Sequence, residues 1–163
     1  MSAEDPTELS HWRPLQRLLD GMDAEIARLY ETNAIPGLRP SHVREILRLS
    51  ARGPMTIGEL AESFGATHSA TSQKVAAMRA DGWVRTAPGA DARSKRVLLS
   101  AKAKRIVGRL AAEWRATESA VAEIEAEVPY ALSRVVDDIE KALARKSFHD
   151  RIAARLQVDD SWR

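Results

Sequence analysis

The stretch TIGELAESFGATHSATSQKVAAMRADG, residues 56–82, decides the fold of this chain. Thr56 and Glu59 stand three residues apart at its start, which is the spacing of a capping box at a helix N-terminus. The first helix therefore begins after Thr56 and is expected to end near Gly65. A second helix follows, with Thr67 as its N-cap. Two short helices joined by a tight turn that contains glycine predict a helix-turn-helix.

The second helix of this pair carries the candidate binding residues. It is expected to run to about Asp81, with Val75 and Met78 on its inward face and Gly82 as its C-terminal stop. Its first turns are crowded with small polar side chains, which allow close approach to phosphates and base edges in the major groove of DNA. The predicted contacts from this helix are Thr67, His68, Ser69, Thr71, Ser72, Gln73 and Lys74. An ordinary solvated helix is the open alternative, although serine and threonine are mediocre helix formers.

A change of periodicity from 3.6 to 2 after Gly82 predicts a β-hairpin. Val84 alternates with polar neighbours on the first strand, as Val97 does on the second, and the 88–95 segment between them is turn-rich and basic. Such a hairpin beside a helix-turn-helix is a wing, and an arginine at its tip fits a narrow minor groove. The predicted wing contacts are Asp91, Arg93, Ser94, Lys95 and Arg96. A solubilising loop is the alternative interpretation.

Long amphipathic helices flank the predicted winged domain. Apolar residues at helical spacing predict helices over 14–32 and from a cap at Ser41 onward before it, and over 100–127 after it. One last helix is expected after Pro129, with its apolar positions extending to Leu156.

The chain is thus expected to have three regions, namely an N-terminal helix over 1–36, the winged helix-turn-helix over 37–100 and C-terminal helices over 101–163. One small winged domain cannot cover the apolar surface of the terminal helices, and monomers rarely leave such a surface exposed. We therefore expect both terminal regions to form the dimerisation interface of a twofold homodimer. An intramolecular bundle is the alternative.

Charge is distributed unevenly along a chain whose formal net charge is only +2. Between residues 85 and 105 the only acid among many basic residues is Asp91, whereas acids predominate between residues 113 and 140. Phosphate binding needs local positive potential. The middle of the chain is therefore expected to attract double-stranded DNA, while the acidic arm faces water or a partner.

Other classes of function find little support in the sequence. No cysteine is present, which excludes disulfides and thiolate metal sites, and the four histidines lack metal-ligand spacing. Without a phosphate-binding glycine loop or a nucleophile motif, no enzyme, metal or cofactor is expected. No apolar run approaches the roughly 20 residues that cross a bilayer, and the acidic N-terminus does not resemble a secretory signal. A cytoplasmic protein without membrane contact is expected.

These residues resemble the MarR family of bacterial transcriptional regulators. The similarity is carried by residues 56–61, 69–75, 81–85 and 91–94, and it extends over about 14–156. It implies a fold that is mainly α with a small β-hairpin wing. It also implies a sequence-specific regulator, a repressor, that binds a pseudo-palindromic operator as a homodimer. A protein-interaction module on a winged scaffold is the alternative function, but such a module has no need of the basic wing.

The resemblance further places the second helix of the pair in the major groove and Arg93 in the minor groove. It implies release by a small aromatic or anionic effector held between the winged domain and the dimer arm. The candidate effector contacts are Trp12, Tyr30, His42 and Trp114, for each of which simple packing is the alternative. Three features depart from the family pattern. Thr71 stands where an aliphatic residue is more frequent, and Gln73 stands where arginine is common. After the wing, residues 99–103 read LSAKA in place of the usual Leu-Thr-x-x-Gly pattern.

Overall fold

The structure, a computed structural model, describes residues 5–89 and 95–162. Its helices are α1 (Arg13–Thr32), α2 (Pro40–Arg52), α3 (Ile57–Glu62), α4 (His68–Ala80), α5 (Ala101–Glu127), α6 (Leu132–Arg145) and α7 (Phe148–Leu156), with 3-10 turns at Pro6–Glu8 and Asp160–Trp162. Its strands are β1 (Met55–Thr56), β2 (Val84–Pro88) and β3 (Lys95–Leu99). The predicted class, mainly α with a small β-hairpin, is confirmed.

The helix ends follow the local chemistry of the sequence. Thr56 Oγ1 accepts the backbone N–H of Glu59 at 3.1 Å, and the Glu59 carboxylate accepts the backbone N–H of Thr56 at 2.7 Å, which completes the capping box of α3. Thr67 caps α4 by accepting a backbone N–H at 3.2 Å. The cap expected at Ser41 is wrong, because α2 begins at Pro40, whose missing N–H costs nothing in a first turn.

The sheet is antiparallel and places β3 between β1 and β2. β2 and β3 form the predicted hairpin, in a continuous register that begins with Val84 opposite Leu99. β1 adds a third strand in which Met55 lies opposite Val97. The sequence did not indicate β1, because two residues are too few for an alternating pattern to be recognised.

The chain forms two compact units, residues 1–112 and residues 113–163, and α5 runs through their boundary. The first unit holds the hydrophobic core. Its largest fully buried side chains are Trp83, Ile46, Leu60, Met78, Leu110, Val43 and Val97. These come from α2, α3, α4, α5 and the sheet, so the helix-turn-helix and the hairpin share one core. A shared core holds α4 in a fixed orientation relative to the hairpin.

The second unit contains the end of α5 together with α6 and α7. The Glu125 carboxylate accepts both the backbone N–H and the hydroxyl of Ser133 at 2.7 Å, which links α5 to the start of α6. The single helix expected after Pro129 is wrong. The backbone is extended at Lys146, and Ser147 then caps α7 as a separate helix. A break this short leaves the overall apolar pattern helical on both sides, so the pattern did not reveal it.

In the described part of the chain, no helix is both long enough and apolar enough to cross a membrane. The same residues contain no group of three or more histidine, aspartate and glutamate side chains that would hold a metal ion.

Candidate nucleic-acid interface

Helix α4 buries one face and exposes the opposite one. Thr71, Val75 and Met78 follow each other at spacings of four and three residues, so they lie on one side of the helix, and all three are buried. The exposed face is formed by Ser69, Gln73, Ala76 and Ala80. This face presents two polar side chains near the N-terminus and two small alanines further along. A surface of this kind lets another molecule approach the helix closely while two side chains remain free to hydrogen bond.

The N-terminus of α4 is exposed as well. Thr67, His68 and Ser69 are all exposed there. The Thr67 hydroxyl satisfies one of the backbone N–H groups of the first turn. Helix N-termini carry further unsatisfied N–H groups and the positive end of the helix dipole, which together favour a phosphate group. The sequence prediction of exposed polar groups at this end agrees with the structure.

Thr71 does not belong to the exposed set. Its relative exposure is only 6%, and it stands on the inward side with Val75 and Met78. Its prediction as a DNA contact is therefore corrected, because a side chain turned into the core cannot reach a groove. The departure noted in the sequence is consistent with this position, since Thr71 replaces an aliphatic residue that would pack inward. Ser72, its neighbour, is half-buried.

Lys74 is held by a buried carboxylate on α2. Its Nζ lies 3.1 Å from Oε1 of Glu45, whose side chain is only 3% exposed, against 31% for Lys74. Arg44 Nη2 approaches the same oxygen at 3.4 Å. The prediction that Lys74 faces DNA is therefore corrected for this structure, in which its ammonium group points toward α2.

A second polar contact joins the other end of α4 to the start of α2. Asp81 Oδ2 lies 3.5 Å from Arg39 Nε and 4.0 Å from Nδ1 of the buried His42. Neither His42 Nδ1 nor Asp81 Oδ2 has a hydrogen-bond partner among the described residues. Burial, followed by the charge of Arg39, lowers the pKa of His42, although Asp81 and Glu45 oppose the change. Burial and the charge of Arg39 thus favour the neutral form of the imidazole.

The base of the hairpin carries two further predicted contacts. Lys95 is the first residue of β3, and its side chain is exposed. Arg96 is half-buried and donates from Nη1 to the carbonyl oxygen of Pro54 at 2.8 Å, so it fixes the chain that enters β1. Arg96 is thereby corrected from a free phosphate contact to a residue with a structural bond. Asp91, Arg93 and Ser94 lie outside the described residues.

The capped two-helix motif and the first strand of the antiparallel hairpin lie within a segment that matches a known family. Residues 34–94 match the model of the MarR family. The predicted resemblance to this family is thereby confirmed over this segment. None of the curated proteins matches the chain by sequence.

Solved structures with a similar fold match most of the chain. A Mycobacterium tuberculosis transcriptional regulator, MosR, in complex with DNA is 24% identical, with a TM-score of 0.60, and the match covers 84% of this chain and 98% of that chain. The Staphylococcus aureus MepR–DNA complex is 11% identical with a TM-score of 0.61, again over 84% and 98%. The regulator SlyA is 11% identical with a TM-score of 0.59, over 89% and 99%. These similarities establish the fold.

The four candidate effector residues have different surroundings. Tyr30 and His42 are buried in the first unit, as the alternative interpretation of simple packing expects. Trp12, in the first unit, and Trp114, in the second, are exposed. Only the two tryptophans are therefore accessible to a ligand without a rearrangement of the core.

Sequence reasoning missed the importance of two buried residues. Glu45 lies on the same face of α2 as Val43, Ile46 and Leu49, and the signal was a carboxylate at an apolar position of an amphipathic helix. Trp83 is the largest fully buried side chain, directly after the C-terminal stop of α4. Nothing local distinguishes this tryptophan from an exposed one, because its burial depends on distant parts of the chain.

Proposed function

We propose that this protein is a sequence-specific DNA-binding transcriptional regulator. The observation that carries the proposal is the exposed face of α4, on which Ser69 and Gln73 stand one turn apart beside small alanines. The 13 residues of α4 span about 20 Å, and the major groove of B-DNA is about 12 Å wide and admits a helix of this kind. A glutamine makes two hydrogen bonds with adenine, so Gln73 is assigned the reading of a base.

Phosphate contacts flank this reading helix in the proposal. The exposed first turn of α4 faces one phosphate through backbone N–H groups and the Thr67 hydroxyl. On the hairpin, Arg85 and Lys95 are exposed, and in the proposal their positive charges face the phosphate backbone of the DNA. Arg93, at the expected tip, is assigned to the minor groove from the sequence. Contacts to phosphate fix the register, and contacts to base edges give the specificity.

The proposal includes a homodimer, with the terminal helices as its interface. Exposed large apolar side chains on these helices support it, because soluble monomers rarely leave such a surface in contact with water. In the second unit these side chains include Leu132, Val135, Val136, Leu143, Phe148 and Ile152, and in the first unit Leu18, Leu19 and Leu29. A twofold dimer sets two reading helices about 34 Å apart, which matches one turn of DNA and a pseudo-palindromic operator. A regulator of this kind acts in the bacterial cytoplasm, where the DNA lies.

Repression released by a small aromatic or anionic effector completes the proposal. It is supported by the exposed indoles of Trp12 and Trp114, which offer flat apolar contact. An effector that binds one of two dimer states better shifts the separation of the reading helices. Quenching of tryptophan fluorescence, which is lost in the Trp12→Phe or the Trp114→Phe variant, would identify the contact.

The decisive experiment is selection of bound fragments from random duplex DNA with the purified full-length protein. Enrichment of a palindromic sequence is the expected result. With roughly 6–10 phosphate contacts, affinity should fall about 10³–10⁵-fold between 50 and 200 mM salt. Gln73→Ala should relax the preference at one position of each half-site, whereas Arg28→Ala, an exposed change on α1, should not. No enrichment combined with a flat salt response would reject the proposed function.

A further inference from the structure

Glu45 and Lys74 form a link between α2 and the reading helix. Glu45 is a carboxylate on the buried face of α2, and its Oε1 receives Lys74 Nζ at 3.1 Å. Arg44 Nη2 lies 3.4 Å from the same oxygen, and Oε2 has no hydrogen-bond partner among the described residues. The carboxylate is therefore committed to the two basic groups nearest to it.

The burial of the Glu45 carboxylate explains why it can hold the Lys74 side chain in place. A buried carboxylate without a partner is expensive, because it loses the hydration that stabilises its charge. If Lys74 left Glu45 to reach a DNA phosphate, the buried carboxylate would lose its closer cationic partner, at 3.1 Å, and keep only Arg44 at 3.4 Å. A flexible surface lysine without such a partner would be free to form an ion pair with the nearest phosphate.

The position of Lys74 on α4 separates it from the exposed face. At about 100° per residue, Lys74 is turned about 100° from Gln73 and lies beside the buried Thr71 and Val75. Its ammonium group thus lies on the α2 side of the helix. The sequence showed only a lysine among polar residues and did not indicate that this lysine forms an ion pair with Glu45.

We propose that Glu45 is a positioning residue that withholds Lys74 from the DNA backbone. The inference rests on the proposed function. Affinity for DNA of any sequence then loses one phosphate contact per reading helix, while contacts through Ser69 and Gln73 are unchanged. Because phosphate contacts carry no sequence information, this arrangement lowers the affinity for operator and non-operator DNA alike and leaves the discrimination between them to Ser69 and Gln73.

The test measures the salt dependence of binding to a duplex of random sequence. The proteins compared are the wild type, Glu45→Gln, Lys74→Gln and the double variant Glu45→Gln/Lys74→Gln. Glu45→Gln should steepen the slope of log affinity against log salt by about 0.9 per reading helix, which is about a threefold greater loss between 50 and 200 mM. Lys74→Gln should leave the slope unchanged, and the double variant should return it to the wild-type value.

Glu25→Gln is the matched control, because it removes one negative charge from an exposed carboxylate on α1 without touching α4. It should leave the slope unchanged, so a steeper slope in both glutamine variants would reflect net charge and overturn the inference. Thermal unfolding checks that each variant is folded. Glu45 and Lys74 should also be coupled there, with the double variant closer to the wild type than the sum of the two single changes predicts.

Two results would overturn the positioning role. A slope that becomes shallower by about 0.9 in Lys74→Gln would mean that Lys74 already contacts phosphate in the wild type. An unchanged slope in Glu45→Gln would mean that the carboxylate withholds nothing. Both differ from failure of the proposed function, in which the wild type itself shows no salt-dependent binding to duplex DNA.

Discussion

The indole Nε1–H of Trp83 donates a hydrogen bond to the carbonyl oxygen of Gly37 at 3.2 Å. Trp83 is 1% exposed, and Lys102 Nζ lies 3.6 Å from the centre of its ring while donating to the carbonyl oxygen of Asp81. One side chain therefore connects the end of the reading helix with the loop before α2 and the start of α5. This connection fixes the direction in which α4 leaves the core.

Trp83→Phe should lower the free energy of unfolding by about 1–3 kcal/mol, because the hydrogen bond to Gly37 is lost within the core. Chemical denaturation followed by circular dichroism measures the change. Trp162→Phe, a change at a 71% exposed side chain, is the control and should stay within about 0.5 kcal/mol of the wild type. Equal effects of the two substitutions would show that Trp83 has no special role in the core.

Thr71→Val should leave DNA affinity within about twofold of the wild type, because Thr71 faces the core and not the exposed side of α4. Gln73→Ala should instead cost about 1–3 kcal/mol on the preferred operator, the range for a side chain that reads a base. Both are measured by fluorescence anisotropy with labelled duplexes. A large loss in Thr71→Val with a normal unfolding curve would return Thr71 to the contact surface.

Thr56→Ala should lower the free energy of unfolding by about 1 kcal/mol, because it removes the side chain that accepts the Glu59 N–H at the start of α3. Ser41→Ala is the matched control in α2. Ser41 was expected to cap that helix but makes no capping bond there, so its loss should be close to neutral. If Ser41→Ala cost as much as Thr56→Ala, the start of α2 at Pro40 would be wrong.

Stability should fall as the pH decreases below about 6.5, in part because of His42. Burial, and then Arg39 and Lys74, lower the pKa of His42 in the folded protein below its ordinary value of 6.5, against the opposite effect of Asp81 and Glu45. The unfolded chain therefore takes up a proton in a range where the folded protein does not. This contribution is fully present above the ordinary value and is lost as the pH falls toward the lowered folded value.

The measurement is the free energy of unfolding from pH 7.5 to 5.5 by chemical denaturation. His42→Gln should show a weaker decrease than the wild type over this range. His149→Gln, which replaces an exposed imidazole on α7, should decrease as steeply as the wild type. A pH profile that is the same in all three proteins would remove His42 from the pH dependence.

Local features of the fold were predictable because their causes are local. Thr56 and Glu59 satisfy each other's backbone within one turn, and the alternation around Val84 and Val97 marks two strands with one buried side. The capping box and the first of the two strands also lie within residues 34–94, which match the model of the MarR family. The candidate interface was predictable to the same extent, since the exposed Ser69 and Gln73 follow from helical spacing.

The assignments that changed depended on contacts between distant residues. Lys74 meets Glu45 29 residues earlier, and Arg96 meets Pro54 42 residues earlier, so neither partner appears in a local pattern. By itself, the sequence determined the helices, the hairpin and the concentration of positive charge, because periodicity and capping act over a few residues. Only the tertiary structure decided which basic groups are free to meet a phosphate, because burial and ion pairing depend on what the folded chain brings together.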